Sequence, residues 1–264
     1  MKSIFPNVYK SDEICEKCGS NLYYRKERPD IKECLNCGKQ RLEAKNKEIE
    51  YRGGELAEKY GTYDMLGKQS IIDDKTIKRA TFDNFKTDEP EAKLNLEKAK
   101  KLAERLVNGE TLNAFLQGKQ GTGKSHLSMS ILKEVNENSY PYRKCLFVDF
   151  PSLMLEVSDF QNYQTLSQSE AIALLSKPDV LVIDDIGAET NAESGQAKEY
   201  VYKTLQAIAQ NRQDKSTIYT TNISSERLGT LYGSRVRSRI TRGVAGNSII
   251  FKDSEDKRKQ ALGF

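Results

Sequence analysis

The amino-acid sequence predicts a three-layer α/β domain with a mainly parallel sheet, preceded by a small cysteine-bearing module. Three observations lead there. Short apolar runs alternate with helical stretches from Ala80 onward. A glycine-rich stretch ending in Gly123-Lys124-Ser125 lies between one such run and one such helix. Four of the five cysteines fall within the first 40 residues, as two Cys-x-x-Cys pairs.

At 264 residues the chain suits one large or two modest domains of roughly 150 residues each. Apolar residues make up 37% and charged residues 30%, enough for one sizeable core. No run approaches the ~18–20 consecutive apolar residues of a membrane span, and the stretch Met1 to Lys10 lacks a signal peptide's hydrophobic run. Membrane and secreted readings are therefore set aside, and a cytoplasmic protein is expected. The net charge of +4 permits a nucleic-acid partner without demanding one.

The first element is the segment Lys10 to Gly38, with Cys15, Cys18, Cys34 and Cys37. Without a secretion signal, two such pairs point to a reducing compartment and a metal rather than to disulfides. Each pair ends in glycine, Gly19 and Gly38. Such a knuckle turns backbone N–H groups toward the sulfurs, and glycine tolerates the positive φ this requires. Four thiolates suit a closed tetrahedral Zn²⁺ site, structural rather than catalytic. A redox dithiol would not need the second pair, and an iron–sulfur centre is the other metal reading. A module this short buries little core, so the metal supplies much of its folding free energy. Next, Gln40 to Tyr60 is dense in helix formers but interrupted by Gly53-Gly54, and reads as two short helices. Gly61 to Arg79 reads as a connector. The expected organisation is a zinc-ribbon-like module over residues 1–60, a linker over 61–79 and the α/β domain over 80–264.

In that domain, Glu91–Asn108 reads as a helix with Leu94, Ala99, Leu102, Ala103 and Leu106 near one face. Strands are expected at Leu112–Leu116, Cys145–Phe150, Val180–Asp184, Thr217–Thr221 and Ser248–Phe251. Helices are expected between them at Lys124–Asn136, Ser169–Leu175, Ala197–Asn211 and Glu226–Arg239.

Gly118-Lys119-Gln120-Gly121-Thr122-Gly123-Lys124-Ser125 matches G-x-x-x-x-G-K-[ST] at every fixed position, with a strand before it and a helix after. Its glycines let the backbone wrap phosphate oxygens, and successive N–H groups with the helix N-terminus supply positive potential. Lys124 is placed to reach the β- and γ-phosphates of ATP, and the Ser125 hydroxyl to hold Mg²⁺. His126, the only histidine, follows directly and reads as packing or hydrogen-bonding at the loop. Val180-Leu-Val-Ile-Asp184-Asp185 reads as a buried strand whose acidic end faces the ligand side of an open α/β sheet. Asp184 then serves Mg²⁺ and Asp185 polarises the attacking water, against the alternative of a helix cap or solvated turn. Thr220-Thr-Asn222 ends the next strand, where the Asn222 amide could orient that water or simply form a turn.

Arg235, Arg237, Arg239 and Arg242 fall within eight residues with no acidic residue among them. Either they meet phosphate, as an arginine finger or on a nucleic-acid backbone, or they form a solvated basic face. Cys145 reads as a small buried hydrophobe.

With these residues in place, the chain resembles the DnaC/DnaI-type replicative helicase loaders of the AAA+ ATPases and their phage relatives. Ala80-Thr-Phe-Asp-Asn-Phe85, Gly121-Thr-Gly-Lys-Ser-His126-Leu127, Val182-Ile-Asp-Asp-Ile-Gly-Ala-Glu189, Thr220-Thr-Asn222 and Ser234-Arg-Val-Arg-Ser-Arg239 carry the resemblance, over about residues 80–264. It implies that Lys124 and Ser125 are the Walker A pair and Asp184 the Walker B metal ligand. It likewise makes Asn222 sensor 1 and Arg235 an arginine finger acting in trans. Asp185 stands where most AAA+ proteins have Glu, which implies slow hydrolysis suited to a switch. The family's sensor 2 arginine has no clear counterpart, with Lys257 and Arg258 as its candidates. Only 42 residues follow Asn222, so no full lid domain is expected.

The resemblance implies ATP, Mg²⁺ and Zn²⁺ as cofactors. Its implied partners are a hexameric replicative helicase, single-stranded DNA and further copies, six per helicase. Met154, Phe160 and Tyr163 are candidates for stacking on the strand or for core packing. Two other functions stay open. One is an IstB-type transposition ATPase acting on duplex DNA; the other is a protein that captures helicase without productive turnover.

Overall fold

The computed structural model describes residues 7–163, 166–189, 197–254 and 256. The chain divides into two compact units, Met1–Glu58 and Lys59–Phe264.

The first unit is built from short polar strands. β1 (Val8–Ile14), β2 (Asn21–Arg25) and β3 (Arg28–Glu33) form an antiparallel sheet in the order β1-β2-β3. The turn between β1 and β2 carries the first cysteine pair, closed by Gly19 N–H to the Cys15 carbonyl and Cys15 N–H to the Ser20 carbonyl. Gly19 there has φ of 70°. Gly38 does not repeat this geometry. It lies in the first turn of a helix, α1 (Leu35–Gln69), so the second pair takes its N–H donor from a helix start, Cys37 N–H to Cys34 Sγ at 3.4 Å.

α1 also runs straight through Gly53-Gly54 and through the stretch expected to be a connector, as far as Gln69. Two glycines cost about 1 kcal/mol each in a helix interior. The surrounding Leu, Glu, Lys, Arg and Ala favour the helix enough to absorb that cost.

The second unit has a five-stranded sheet in the order β5-β6-β7-β4-β8, parallel throughout: β4 (Asn113–Gly118), β5 (Cys145–Asp149), β6 (Val180–Ile186), β7 (Ser216–Thr221) and β8 (Ser248–Phe251). α2 (Pro90–Val107) and α3 (Lys124–Asn138) cover one face, where Leu102, Leu106, Leu127 and Ile131 meet Leu116 and Val182. α4 (Phe150–Tyr163), α5 (Gln168–Ser176), α6 (Glu199–Asn211) and α7 (Ser225–Ile240) cover the other, where Leu153, Leu205 and Val236 meet Leu181 and Ile183. These are the three layers expected, and only α7 and β8 follow β7 among the described residues.

Three features position the site. Ile71 adds a single parallel bridge to Val148 on the outer side of β5, tying down the segment that leads into a 3-10 helix at Lys75–Arg79. α4 had no counterpart in the sequence pattern, and its start is fixed by Asp149, whose carboxylate accepts the Ser152 N–H at 2.9 Å. α7 is kinked at Gly233 (φ 77°, ψ 161°), so Arg235, Arg237 and Arg239 lie on a separately directed half of the helix.

Candidate functional site

The loop from Gly118 to Gly123 joins the end of β4 to the start of α3 at the carboxyl edge of the sheet. Gly123 has φ of 101°, and a Cβ there would stand 2.6 Å from the Phe85 ring, so this position admits only glycine. A Cβ on Gly121 would collide with the Asp256 carboxylate. Thr122 is buried and its hydroxyl donates to the Lys119 carbonyl at 2.9 Å. The Lys124 ammonium, 6% exposed, donates to the Gly118 carbonyl (2.9 Å), the Lys119 carbonyl (2.8 Å) and Asn222 Oδ1 (2.6 Å).

Asn222 is thereby a bridge. Its Nδ2 donates to Asp185 Oδ1 at 2.7 Å, so one side chain links the loop lysine to the second carboxylate of β6. Asp185 adopts φ of 57°, and the register of β6 against β7 shifts between Ile183 and Ile186. This irregularity turns Asp185 out of the strand's alternation and toward Asn222. The Thr220 hydroxyl completes the set: it donates to Asp184 Oδ1 at 2.6 Å and accepts the Asp185 N–H at 2.8 Å. Thr220 was not singled out from the sequence, although it stands in the same Thr-Thr-Asn run that pointed to Asn222.

Burial pushes the Asp184 carboxyl up to about 6, held back by hydrogen bonds from Thr220 and Ser125 and added to by the nearby charges of Asp185 and Asp149. A buried carboxylate pressed by like charges, beside the Ser125 hydroxyl, is a donor set suited to a divalent cation. Ser125 and Asp184 are the residues that would hold Mg²⁺.

The carboxyl edges of these strands open into a cleft of about 630 Å³, walled also by Ile72, Ile77 and Phe85. His126 lines it and fastens the lead-in segment: its ring nitrogen Nε2 bonds the Thr81 carbonyl at 2.9 Å and its ring meets Phe85 edge-on at 5.3 Å. None of the four clustered arginines lines this cleft. Arg235 and Arg237 are exposed, Arg237 lying against Gly229. Arg239 has a buried Nη1 without a hydrogen-bond partner, and Arg242 donates to Gln213 Oε1 at 3.1 Å. Met154 is buried in the core beside α5, and Cys145 is wholly buried. The side chains of Phe160 and Tyr163, and residues Lys257 and Arg258, lie outside the described residues.

In the first unit the sulfurs of Cys15, Cys18, Cys34 and Cys37 all lie within 4.8 Å of one another, and all four are free thiols. The Cys15–Cys37, Cys18–Cys34 and Cys18–Cys37 separations are 3.8, 3.4 and 3.5 Å. Tetrahedral zinc at Zn–S of about 2.3 Å requires sulfur separations near 3.8 Å, so the cluster fits that ion. Hydrogen bonds from Ser20 hold the Cys18 thiol down, while the neighbouring Cys18 and Cys34 sulfurs push the Cys37 thiol up.

The profile of the bacterial DnaA ATPase domain matches residues 77–247. The replicative helicase loader DnaC of Escherichia coli (strain K12) is 30% identical over 171 residues, 64% of this chain; the match spans 64% of the length of that curated relative. The crystal structure of the DnaC helicase loader superposes with a TM-score of 0.56 at 22% identity, covering 67% of this chain and 99% of that one. The structure of DnaI superposes with a TM-score of 0.55 at 21% identity, covering 74% of this chain and 99% of that one. At those identities the superpositions establish the fold, a P-loop AAA+ domain.

Proposed function

The chain belongs to the family of the bacterial DnaA ATPase domain, and from that membership we propose that it is an ATP-dependent helicase loader. In this reading it binds the hexameric replicative helicase and sets it on single-stranded DNA. The relatives named as helicase loaders support the partner. The observation that carries the ATPase part is the Asn222 side chain, which joins Lys124 to Asp185 across the cleft.

The chain's own groups then have separate tasks. Lys124 leaves its carbonyl and amide acceptors to meet the β- and γ-phosphates, and the backbone N–H groups of 118–125 cradle them. Ser125 and Asp184 hold Mg²⁺, which offsets phosphate charge when bound. Asp185 orients the attacking water and draws off its proton, with Asn222 fixing the Asp185 carboxylate. Lys124 passing between Asn222 and phosphate makes the Asn222–Asp185 contact sensitive to nucleotide. Arg235, exposed and away from its own cleft, acts on the γ-phosphate of a neighbouring copy. Arg237, Arg239 and Arg242 supply phosphate contacts to DNA, and the zinc-bound first unit grips the helicase.

The test is ATP turnover with and without single-stranded DNA, together with capture of the purified helicase of the same cell. Lys124→Ala abolishes nucleotide binding. Arg235→Ala keeps binding within about threefold but lowers assembly-dependent turnover on the order of 100-fold, as for removal of a transition-state charge partner. Full turnover by Arg235→Ala would remove the trans role. Intact ATPase activity without helicase capture would turn the reading toward a transposition-type ATPase.

A further inference from the structure

At the end of β6 the chain from Asp185 to Glu189 forms a tight turn, closed by Ala188 N–H to the Asp185 carbonyl at 3.2 Å. One end of this turn presents Asp185 to Asn222 in the cleft. The other carries Glu189, a carboxylate that does not line the cleft and meets α7 instead. Glu189 Oε2 accepts the Gly187 N–H at 2.9 Å, and Oε1 accepts the Tyr232 hydroxyl. The turn sits close against its surroundings: a Cβ on Gly187 (φ 101°) would stand 2.7 Å from Ile223. Where the described chain resumes, Ala197 N–H donates to the Leu231 carbonyl at 3.1 Å, one residue before Tyr232.

Tyr232 stands at the joint of α7. It is 1% exposed, and the next residue, Gly233, breaks the helix. Glycine leaves both of its backbone angles free, so the rigidity of the joint falls to its neighbours. Tyr232 is suited to that task, with its ring packed in the core and its hydroxyl fixed by a distant segment. Burial pushes the Glu189 carboxyl up, the Tyr232 hydroxyl and Gly187 N–H hold it back, and the Asp185 charge adds to the rise. A carboxylate in that setting depends on the tyrosine donor.

Beyond the joint, Val236 and Ile240 are wholly buried and decide which face of the second half looks inward. The first turn of that half is different, since Ser234 and Arg235 are both exposed. Arg237 lies back across the joint against Gly229. Arg235, two residues earlier and so about 200° around the helix, stands on the opposite side. Its place is therefore set less by core packing than by how the joint is held.

We propose that Glu189 and Tyr232 are positioning residues for Arg235. Their bond holds the α7 joint, and with it the direction in which Arg235 is offered, from the same turn that carries Asp185. The inference rests on the reading of Arg235 as a group offered to a neighbouring copy. Neither Glu189 nor Tyr232 touches the cleft; they act on the reaction through the arginine.

Mixed variants of the full chain test this. A Lys124→Ala copy binds no nucleotide but still offers its arginine; an Arg235→Ala copy has a complete cleft and no arginine to offer. Their mixture with single-stranded DNA is expected to regain turnover that neither has alone. Tyr232→Phe or Glu189→Ala added to the Lys124→Ala copy lowers the regained turnover about tenfold, and the two together lower it no further. Tyr232→Phe added to the Arg235→Ala copy leaves it within about twofold. The chain has no tryptophan, so Ser234→Trp reports on the first turn after the joint. In the nucleotide-free chain its fluorescence anisotropy falls when Tyr232→Phe is added. Equal loss of turnover from either copy would make the pair a support of its own cleft and overturn the proposal. Unchanged anisotropy would overturn it as well. A Lys124→Ala and Arg235→Ala mixture without turnover would overturn the trans role of Arg235 and this use of the pair with it. Anisotropy that falls even so would assign the pair to the joint alone.

Discussion

Thr220 spends one hydroxyl on both acidic residues of β6, donating to the Asp184 carboxylate and accepting the Asp185 N–H. Replacing it with valine keeps the β-branched shape that a strand accepts and removes both bonds. Asp184 then loses a donor in a 6% exposed site, and a buried group without its partner costs about 1–3 kcal/mol. Thr220→Val is expected to lower the melting temperature by several degrees and to cut turnover on the order of tenfold, with ATP affinity changed far less. Calorimetry, nucleotide titration and steady-state kinetics on one sample check all three. Equal loss of affinity and turnover would mean that Thr220 shapes the whole loop rather than the two carboxylates. The residues that the structure gathers in the cleft were readable because their pattern is spelled out in spacing: Gly123-Lys124-Ser125, Asp184-Asp185, Asn222. Thr220 was not, because threonine in a strand is ordinary. Only the β6–β7 pairing shows what its hydroxyl meets.

At the scale of elements, the five parallel strands were readable to within a residue or two, since β5 and β6 are short apolar runs buried on both faces, β4 and β7 are short runs with buried centres, and β8 alternates exposed and buried residues. Three features were not readable, each for a local reason. α1 passes Gly53-Gly54 because its neighbours are strong helix formers. α4 opens with Phe150-Pro151, and the Asp149 side chain that caps it also reads as a strand end. The Gly233 kink adjoins Tyr232, whose hydroxyl donates to Glu189 in the loop after β6, a contact between distant segments.

A further long-range tie holds the chain after β8. Glu91, in the first turn of α2, accepts the N–H groups of Lys252 (2.7 Å), Asp253 (3.1 Å) and Ser254 (2.8 Å) and the Ser254 hydroxyl (2.5 Å). Burial pushes this carboxyl up, but the donors from Ser254, Lys252 and Asp253 outweigh it and hold it below its usual 4.5. A depressed folded-state value means that the stabilisation is complete above the ordinary carboxylate range and is lost as pH falls through the folded value. Glu91→Gln is therefore expected to melt about 2–4 °C lower than the parent at pH 7, with the gap closing on acidification below pH ~4. Paired thermal scans from neutral to acid pH read this directly. A gap that persists unchanged in acid would show that geometry rather than charge holds the tail.

For the whole molecule, the two units differ in what keeps them folded. The second has apolar layers on both faces of its sheet, with side chains such as Leu116, Leu127, Leu181 and Ile183 wholly buried. In the first, Cys34 is the only apolar side chain buried among the described residues, and Leu35, Leu42, Ile49 and Leu56 of α1 are in solvent. Three short strands and a helix without a core do not offset the conformational entropy of ordering them. The four thiolates gathered around one point are what remains to do so, and structural zinc contributes on the order of 10 kcal/mol in modules of this kind. Hence a strong chelator, or Cys34→Ser, is expected to release one zinc per chain and to collapse amide protection over β1, β2 and β3. The sheet of the second unit keeps its protection, and nucleotide binding at Lys124 stays within about twofold because each unit folds on its own interactions. Hydrogen exchange read by peptide, alongside metal analysis, separates the two regions in a single experiment. Protection of β1–β3 that survives complete metal loss would mean that packing not apparent in their burial holds this unit. Loss of protection in both units would mean that the chain folds as one cooperative body.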